Sequence, residues 1–373
     1  MSSSGYANNA KTMITTVATD RRGARVSGLQ DYPAATANPA ETSQRLRLGF
    51  LTHLHIGEDA ADSYRIALDL FTAADELGFD SGWVAQHHFL DGGGRLPATL
   101  TFLAAAAERT RRIGLGTAIV VLPLEDPVRV AEDAAVVDTL SGGRLQLGLG
   151  TGGDPLTFAA FGQDLDARRQ RYGDSLRIVT DALAGNPIGG TAARLYPPAP
   201  TLARRLWEST LSAEGGTRIG GHGNGLLLAR TAFLSSNPTD VAQLPVAEAY
   251  LGALAQRSGA PRIGLSRAVY PAADRRTAAS HLESGLASYV DTMVSRGHFP
   301  AGLSQAEYFA RTHVHYGHPE QVVASLRADR VLPLASELIC QVHPGHPTPA
   351  QFVKALERIA GEVAPELGWR RAP

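Results

Sequence analysis

Cysteine is nearly absent from this 373-residue chain, in which Cys340 stands alone. A single thiol can form neither an intrachain disulfide nor a cysteine-based metal cluster, and the usage fits a reducing, cytoplasmic setting. Lysine is almost as scarce, with only Lys11 and Lys354 among 35 basic residues, so lysine chemistry is removed from most of the chain. No apolar run approaches the roughly 18 residues that a membrane-spanning helix needs. The N-terminus has no apolar segment of the kind that marks a signal peptide. A net charge of -1 gives no electrostatic case for a nucleic-acid partner or an anionic membrane surface. A hydrophobic content of 44% is ample for a core, and the length allows one large domain or two ordinary ones.

Residues 1–45 are rich in Ser, Thr, Ala and Asn with scattered arginines, which predicts a poorly ordered extension. From residue 46 the pattern alternates strand and helix to about residue 365. Strands are expected at 47–53, 81–86, 113–122, 144–150, 204–209, 225–230, 262–270 and 335–342. Helical spacing covers 61–77, 97–110, 127–140, 166–184, 239–257, 274–295, 319–329 and 349–362. Gly78 marks one helix stop, and Pro97, Pro127 and Pro319 mark helix starts. Strands alternating with helices predict an α/β chain folded as a single (β/α)8 TIM barrel. A doubly wound open sheet is the competitor, and it lacks a Gly-x-Gly-x-x-Gly between the first strand and its helix. The segments 185–203 and 296–317 read as insertions after strands four and seven, the second a candidate lid.

In such a barrel chemistry is done where the strands end. The second strand ends in Gln86-His87-His88-Phe89. Adjacent side chains on an extended backbone point to opposite sides, so only one histidine of the pair can face a given pocket. His53-x-His55 closes the first strand with two rings on one side, a pair that could hold a metal. Metal-dependent hydrolysis also wants a lysine or acid after strand four and more histidines after strands five and six. Strand four instead runs into Gly148-Leu149-Gly150-Thr151-Gly152-Gly153. That glycine-rich run suits either close approach to a flat ring or phosphate, or a tight turn. Glu208-Ser209-Thr210-Leu211-Ser212 ends strand five, and its hydroxyls suit either an anion site or a capped helix start.

Together these segments resemble the bacterial luciferase-like flavin monooxygenases, close to the luciferase alpha subunit. The resemblance rests on Gly78-Phe79-Asp80, Gln86-His87-His88-Phe89 and Gly116-Thr117-Ala118-Ile119-Val120-Val121-Leu122-Pro123. Asp126-Pro127-Val128-Arg129-Val130-Ala131-Glu132-Asp133 and Asp138-Thr139-Leu140-Ser141-Gly142-Gly143-Arg144 complete it. These stand in family order at family spacing over residues 47–165; beyond them it thins to 208–212 and Gly-His-Pro-Glu-Gln-Val at 317–322.

The resemblance implies a barrel that binds reduced flavin mononucleotide (FMN), supplied by a separate flavin reductase, at the strand ends. It implies oxygen transfer from O2 to a small organic substrate, with His87 handling a proton and His88 as its support. Ala118 and Ile119, joined by a cis peptide, would pack on the flavin ring system beside Thr117. Glu208, Ser209 and Ser212 would serve the phosphate side. His53, Gln86, Gly150, Thr151 and Gly152 complete the expected cofactor contacts. A homodimer is the family expectation. The chain departs from luciferase at Gln86, where the relative has Glu, and at Thr151, where it has a phosphate-gripping arginine. The deazaflavin F420 is the alternative cofactor on the same fold, and a flavin-binding protein without turnover is a further reading.

Overall fold

The computed structural model describes residues 45–89, 94–232, 235, 237–257, 259–295, 297, 299–342 and 345–372. Apart from Arg45, the expected N-terminal extension lies outside the described residues. In chain order the elements are β1 (Arg47–Thr52), α1 (Ala60–Leu77), β2 (Ser81–Val84), α2 (Thr99–Arg109), β3 (Gly114–Thr117) and β4 (Val120–Val121). Next come α3 (Pro127–Leu140), β5 (Leu145–Gly150), α4 (Pro155–Ala160), α5 (Arg168–Leu183), β6 (Leu206–Ser209), α6 (Ala213–His222) and β7 (Gly225–Leu228). The chain continues through α7 (Thr239–Leu254), β8 (Ile263–Pro271), α8 (Arg275–Ser295), α9 (Gln305–Arg311), β9 (Val314–Gly317), α10 (Pro319–Arg327), β10 (Glu337–Gln341) and α11 (Pro349–Arg358).

Local chemistry sets many of these ends. The Asp59 carboxylate accepts from Asp62 N at 2.8 Å to open α1, and Gly78 closes it at φ 87°, where a side chain would be penalised. Asp126 caps α3 through Val128 N (2.8 Å) and Arg129 N (3.1 Å), with Pro127 preset in the first turn.

Every strand pairing is parallel, in the order β1, β2, β3, β5, β6, β7, β8, β10, and β10 returns to β1. The result is a closed eight-stranded parallel barrel with helices outside it, as the alternation of elements predicted.

Several segments differ from the sequence expectation, and α4 and α6 form outside the spans where helical spacing was expected. The single strand expected at 113–122 is broken into β3 and β4 at Ala118–Ile119, whose peptide bond is cis. At the break the Thr117 hydroxyl donates to Gly148 O and accepts from Gly148 N, both at 2.8 Å, holding the two strands where the ladder stops. The segment expected as an irregular lid, 296–317, contains α9 and β9, and β9 adds to the upper part of β8 through pairs from Ala268↔Val314 to Pro271↔Gly317. Arg296 and His298 of that segment lie outside the described residues.

The barrel interior follows the period of two. Leu51, Trp83, Ala85, Trp207, Leu227 and Ile339 form one buried cluster, with Ala118 and Ile119 packed on it. Trp83 and Trp207 meet edge to face with centroids 5.6 Å apart. Glycine makes room for them. A Cβ on Gly116 would fall 2.2 Å from the Trp83 ring, and one on Gly225 2.3 Å from the Trp207 ring. Deeper still, buried Glu337 accepts from Trp83 Nε1 at 2.9 Å and from the Ser81 hydroxyl, and pairs with Arg47 at 3.5 Å. The barrel is therefore plugged at one end, and its open end is the carboxyl end of the strands.

Candidate active site

The same alternation decides which strand-end residues face the open end. Leu51 points inward, so His53 follows on its side; Leu54 then turns at φ 57°, and His55 joins His53 by lining the same cleft. Trp83 and Ala85 point inward, so His87 follows and Gln86 and His88 do not. Ile339 points inward, and so does Gln341. On β8, a Cβ on Gly264 would touch Leu227 and Ile339, which places Ser266 on the inner side as well.

Four of these residues form one hydrogen-bonded chain. Gln341 Nε2 donates to Ser266 Oγ at 2.5 Å, which turns Gln341 Oε1 toward His53 Nε2, 3.0 Å away. An amide oxygen only accepts, so His53 carries its proton on Nε2. Its Nδ1 then accepts from His87 Nε2 at 3.1 Å. The consequence is a neutral His87 protonated on Nε2, with the lone pair on Nδ1 able to take a proton. The His53 ring also stacks on His55 at 5.3 Å.

Electrostatics agree with that state. Burial pushes His87 down to about 4; neighbouring His88 adds to the shift and Asp154 opposes it. Burial, then His87, His346, Arg95 and Arg230, pushes His55 down to about 3. Burial, then His55 and His87, holds His53 well below the ordinary histidine range against the bond to Gln341. Three neutral imidazoles therefore share the mouth at neutral pH.

The other expected site residues fall in different places. Ala118 and Ile119 are half-buried between buried Thr117 and Val120, forming an apolar ledge at the mouth. Gly150 and Ser209 meet across β5 and β6, where a Cβ on Gly150 would lie 2.7 Å from Ser209 Oγ and 2.8 Å from Ile119 Cγ1. Thr151 is half-buried, its hydroxyl 3.3 Å from Gly152 O. Gly152 turns at φ 62°. The Ser212 hydroxyl accepts from Gly215 N at 3.1 Å and so caps α6.

Two side chains depart from the expected cofactor contacts. Gln86 faces outward, its Nε2 donating to Pro97 O (3.0 Å) and Glu125 Oε1 (2.8 Å) and its Oε1 accepting from Val121 N (2.6 Å). Both polar atoms of that amide are engaged, Oε1 with β4 and Nε2 with Pro97 and Glu125. Glu208 also faces outward, since Trp207 takes the inner side of β6. It is fully buried, bound by His222 Nδ1 (2.7 Å), Asn224 Nδ2 (3.0 Å) and Tyr172 OH (2.9 Å). Burial alone would raise the Glu208 carboxyl, but the hydrogen bonds from His222, Asn224 and Tyr172 outweigh it and hold it below its usual range. His88 is buried with its ring edge-to-face on Phe161 at 4.9 Å.

Sequence reasoning missed Gln341 and Ser266. The period of two groups each with one face of its strand, but only the closed barrel shows that this face is the inner one. It also missed His313, His315 and Asp329, whose donor atoms lie within 4.8 Å of one another. There Asp329 is already bound by Arg267 Nε at 2.6 Å and by Val331 N at 2.8 Å.

A family model described as luciferase-like monooxygenase matches residues 45–341. The chain therefore belongs to the luciferase-like monooxygenase family. It is 40% identical over 145 residues to a 4-hydroxyprotoasukamycin monooxygenase of Streptomyces nodosus subsp. asukaensis, covering 38% of this chain and 39% of that protein. It is 30% identical over 204 residues to a limonene 1,2-monooxygenase of Rhodococcus erythropolis, covering 52% of this chain and 51% of that one. The chain thus spans about two fifths to a half of the length of these relatives. Among solved structures, the oxygenating constituent of 3,6-diketocamphane monooxygenase from Pseudomonas putida, in complex with FMN, superposes with a TM-score of 0.72 at 18% identity. That match covers 88% of this chain and 100% of the other. The coenzyme F420 dependent tetrahydromethanopterin reductase from Methanopyrus kandleri superposes with a TM-score of 0.65 at 18% identity, covering 87% and 100%. Both likenesses are likenesses of fold.

Proposed function

We propose that this chain is a monooxygenase that uses reduced FMN and O2 to oxygenate a small organic substrate, the flavin being delivered by a separate reductase. The observation that carries the reading is a neutral, hydrogen-bonded His87 held inward at the same mouth as the half-buried Ala118–Ile119 ledge. An apolar ledge with a polar rim fits a flat heteroaromatic ring, so the residues present suit the group that the family implies. Ala118 and Ile119 would support the ring. Ser209 and the backbone of Gly150 to Gly152 would lie toward the phosphate, Thr151 standing where an arginine would serve.

When bound, reduced flavin supplies the electrons that activate O2. The protein's own part is proton handling and shelter. His87 would accept a proton at Nδ1 from the substrate and hand it to the oxygen as oxygen is transferred. His53 fixes the His87 ring through Nδ1, and Gln341 fixes His53 in turn. The apolar floor of Trp83, Leu227 and Ile339 keeps water from entering from below. The cytoplasm and a homodimer are the setting proposed for this work.

The F420-dependent likeness supports a second reading, hydride transfer on the same scaffold. Titrating the pure protein with reduced FMN and with reduced F420, while following O2 uptake, separates the two. Tight binding of reduced FMN with O2 uptake altered by His87→Ala is expected. Binding of F420 alone, without O2 uptake, would replace the oxygenase reading. Binding of neither, together with a stoichiometric transition metal found by elemental analysis, would overturn both in favour of metal-dependent hydrolysis.

A further inference from the structure

Arg230 follows β7 by two residues, at the open end of the barrel. It is 6% exposed, and its Nη1 is buried without a hydrogen-bond partner. Its guanidinium carbon lies 5.0 Å from the centroid of the Tyr289 ring on α8. That helix reaches over the site. A Cβ on Gly285 would fall 2.4 Å from Gly345 Cα, and Gly345 lines one cleft with His53 and His55. The Arg230 charge is near enough to both imidazoles to help lower them.

Arg267, the other deeply buried arginine among the described residues, shows what is missing. Arg267 is fully buried and meets Asp329 at 2.6 Å. No carboxylate among the described residues pairs with Arg230. A guanidinium cannot shed its proton to escape burial, and a buried charge without a counter-ion is costly. Its in-plane donors match the paired oxygens of a carboxylate or phosphate.

We propose that Arg230 is an anion-recognition residue at the barrel mouth, which binds a carboxylate or phosphate group of the molecule seated above His53 and His87. The inference rests on the oxygenase reading for which molecule that is. Its shared chemistry is a planar or tetrahedral oxyanion, with two sources: a carboxylate on the organic substrate, or the phosphate of the flavin.

The test uses the full chain and matched probes. Benzoate against benzamide and octanoate against octanamide read the substrate source by calorimetry, and FMN against riboflavin reads the cofactor source. The wild type is expected to prefer one class of charged probe by tenfold or more, Arg230→Met to erase that preference, and Arg230→Lys to keep part of it. Melting curves confirm that the variants are folded, and the lysine variant covers a failure of the methionine one. Loss of an acid-over-amide preference assigns the substrate. Loss of an FMN-over-riboflavin preference assigns the phosphate. No preference in either comparison, or one that survives Arg230→Met, overturns the proposal. An acid preference in a chain that binds no flavin would keep the anion site while removing the oxygenase reading.

Discussion

The Nδ1 of His53 and the Nε2 of His87 lie 3.1 Å apart, joining residues from two different strand ends into one proton-carrying unit. His53 does not act as a free pocket-lining ring, because its other nitrogen is already committed to Gln341 at 3.0 Å. Its effect is to decide which nitrogen of His87 bears the proton.

Replacing His87 by alanine should lower turnover by about 10²- to 10⁴-fold, the usual worth of a positioned acid–base group. The ring is half-buried at the mouth and not part of the floor cluster, so the melting temperature should hardly change. Single-turnover oxidation of the reduced cofactor, compared with wild type, measures the first effect. Wild-type kinetics in the variant would remove His87 from the chemistry.

Gln341→Leu should break the chain at its anchor without emptying the site. Nitrogen-15 NMR of the histidine rings should then show His53 and His87 as tautomer mixtures rather than single forms. Gln341→Glu places a carboxylate against His53 and should raise its pKa, moving any acid limb of the pH profile upward. Identical ring spectra in wild type and Gln341→Leu would mean that the amide positions nothing.

Glu208→Ala should destabilise the fold by about 1–3 kcal/mol, since it strands the buried Tyr172 hydroxyl and removes the partner of His222 and Asn224. Because the carboxylate faces away from the mouth, FMN affinity should hold within about twofold at temperatures where the variant is folded. A selective loss of FMN binding at unchanged stability would return Glu208 to the cofactor.

Acid should weaken the fold through the mouth histidines. Their ordinary pKa is 6.5, whereas His87 and His55 are held near 4 and 3. Below pH 6.5 the unfolded chain takes up protons that the folded chain refuses, so stability falls as pH drops from about 6.5 toward 4. Denaturant midpoints across that range should decline, and the decline should be shallower in His87→Ala. A flat profile over that window would show that these rings are solvated in the folded protein.

Much of the barrel was legible in the sequence because its family motifs are largely scaffold chemistry. The Asp80 of Gly-Phe-Asp accepts from Leu48 N (2.9 Å) and Trp369 Nε1 (2.8 Å), closing the start of two strands. Arg144 donates to Ala107 O, Thr110 O and Ile113 O, and Asp138 meets Arg205 at 2.7 Å. Such residues recur at fixed spacing because the backbone groups they satisfy are fixed. Of the candidate site, His87 was legible from one strand end read alone, whereas the Ala118–Ile119 cis pair came from the family resemblance and not from the strand pattern at 113–122. Gln341 and Ser266 act through residues hundreds of positions away, and only barrel closure brings β10 beside β1. Glu208 and Gln86 are the right residue types at the right ends, but the strand alternation turns them outward, and no local signal fixes which side a strand presents.

The two indoles beneath the mouth have a further use. The chain holds three tryptophans, and Trp83 and Trp207 are the pair whose edges meet under the histidines. Their ultraviolet emission arises directly below the place where a yellow chromophore would sit. Occupancy of the barrel mouth can therefore be followed by quenching of the protein's own light, with Gly116 and Gly225 fixing the emitters in position and no label added.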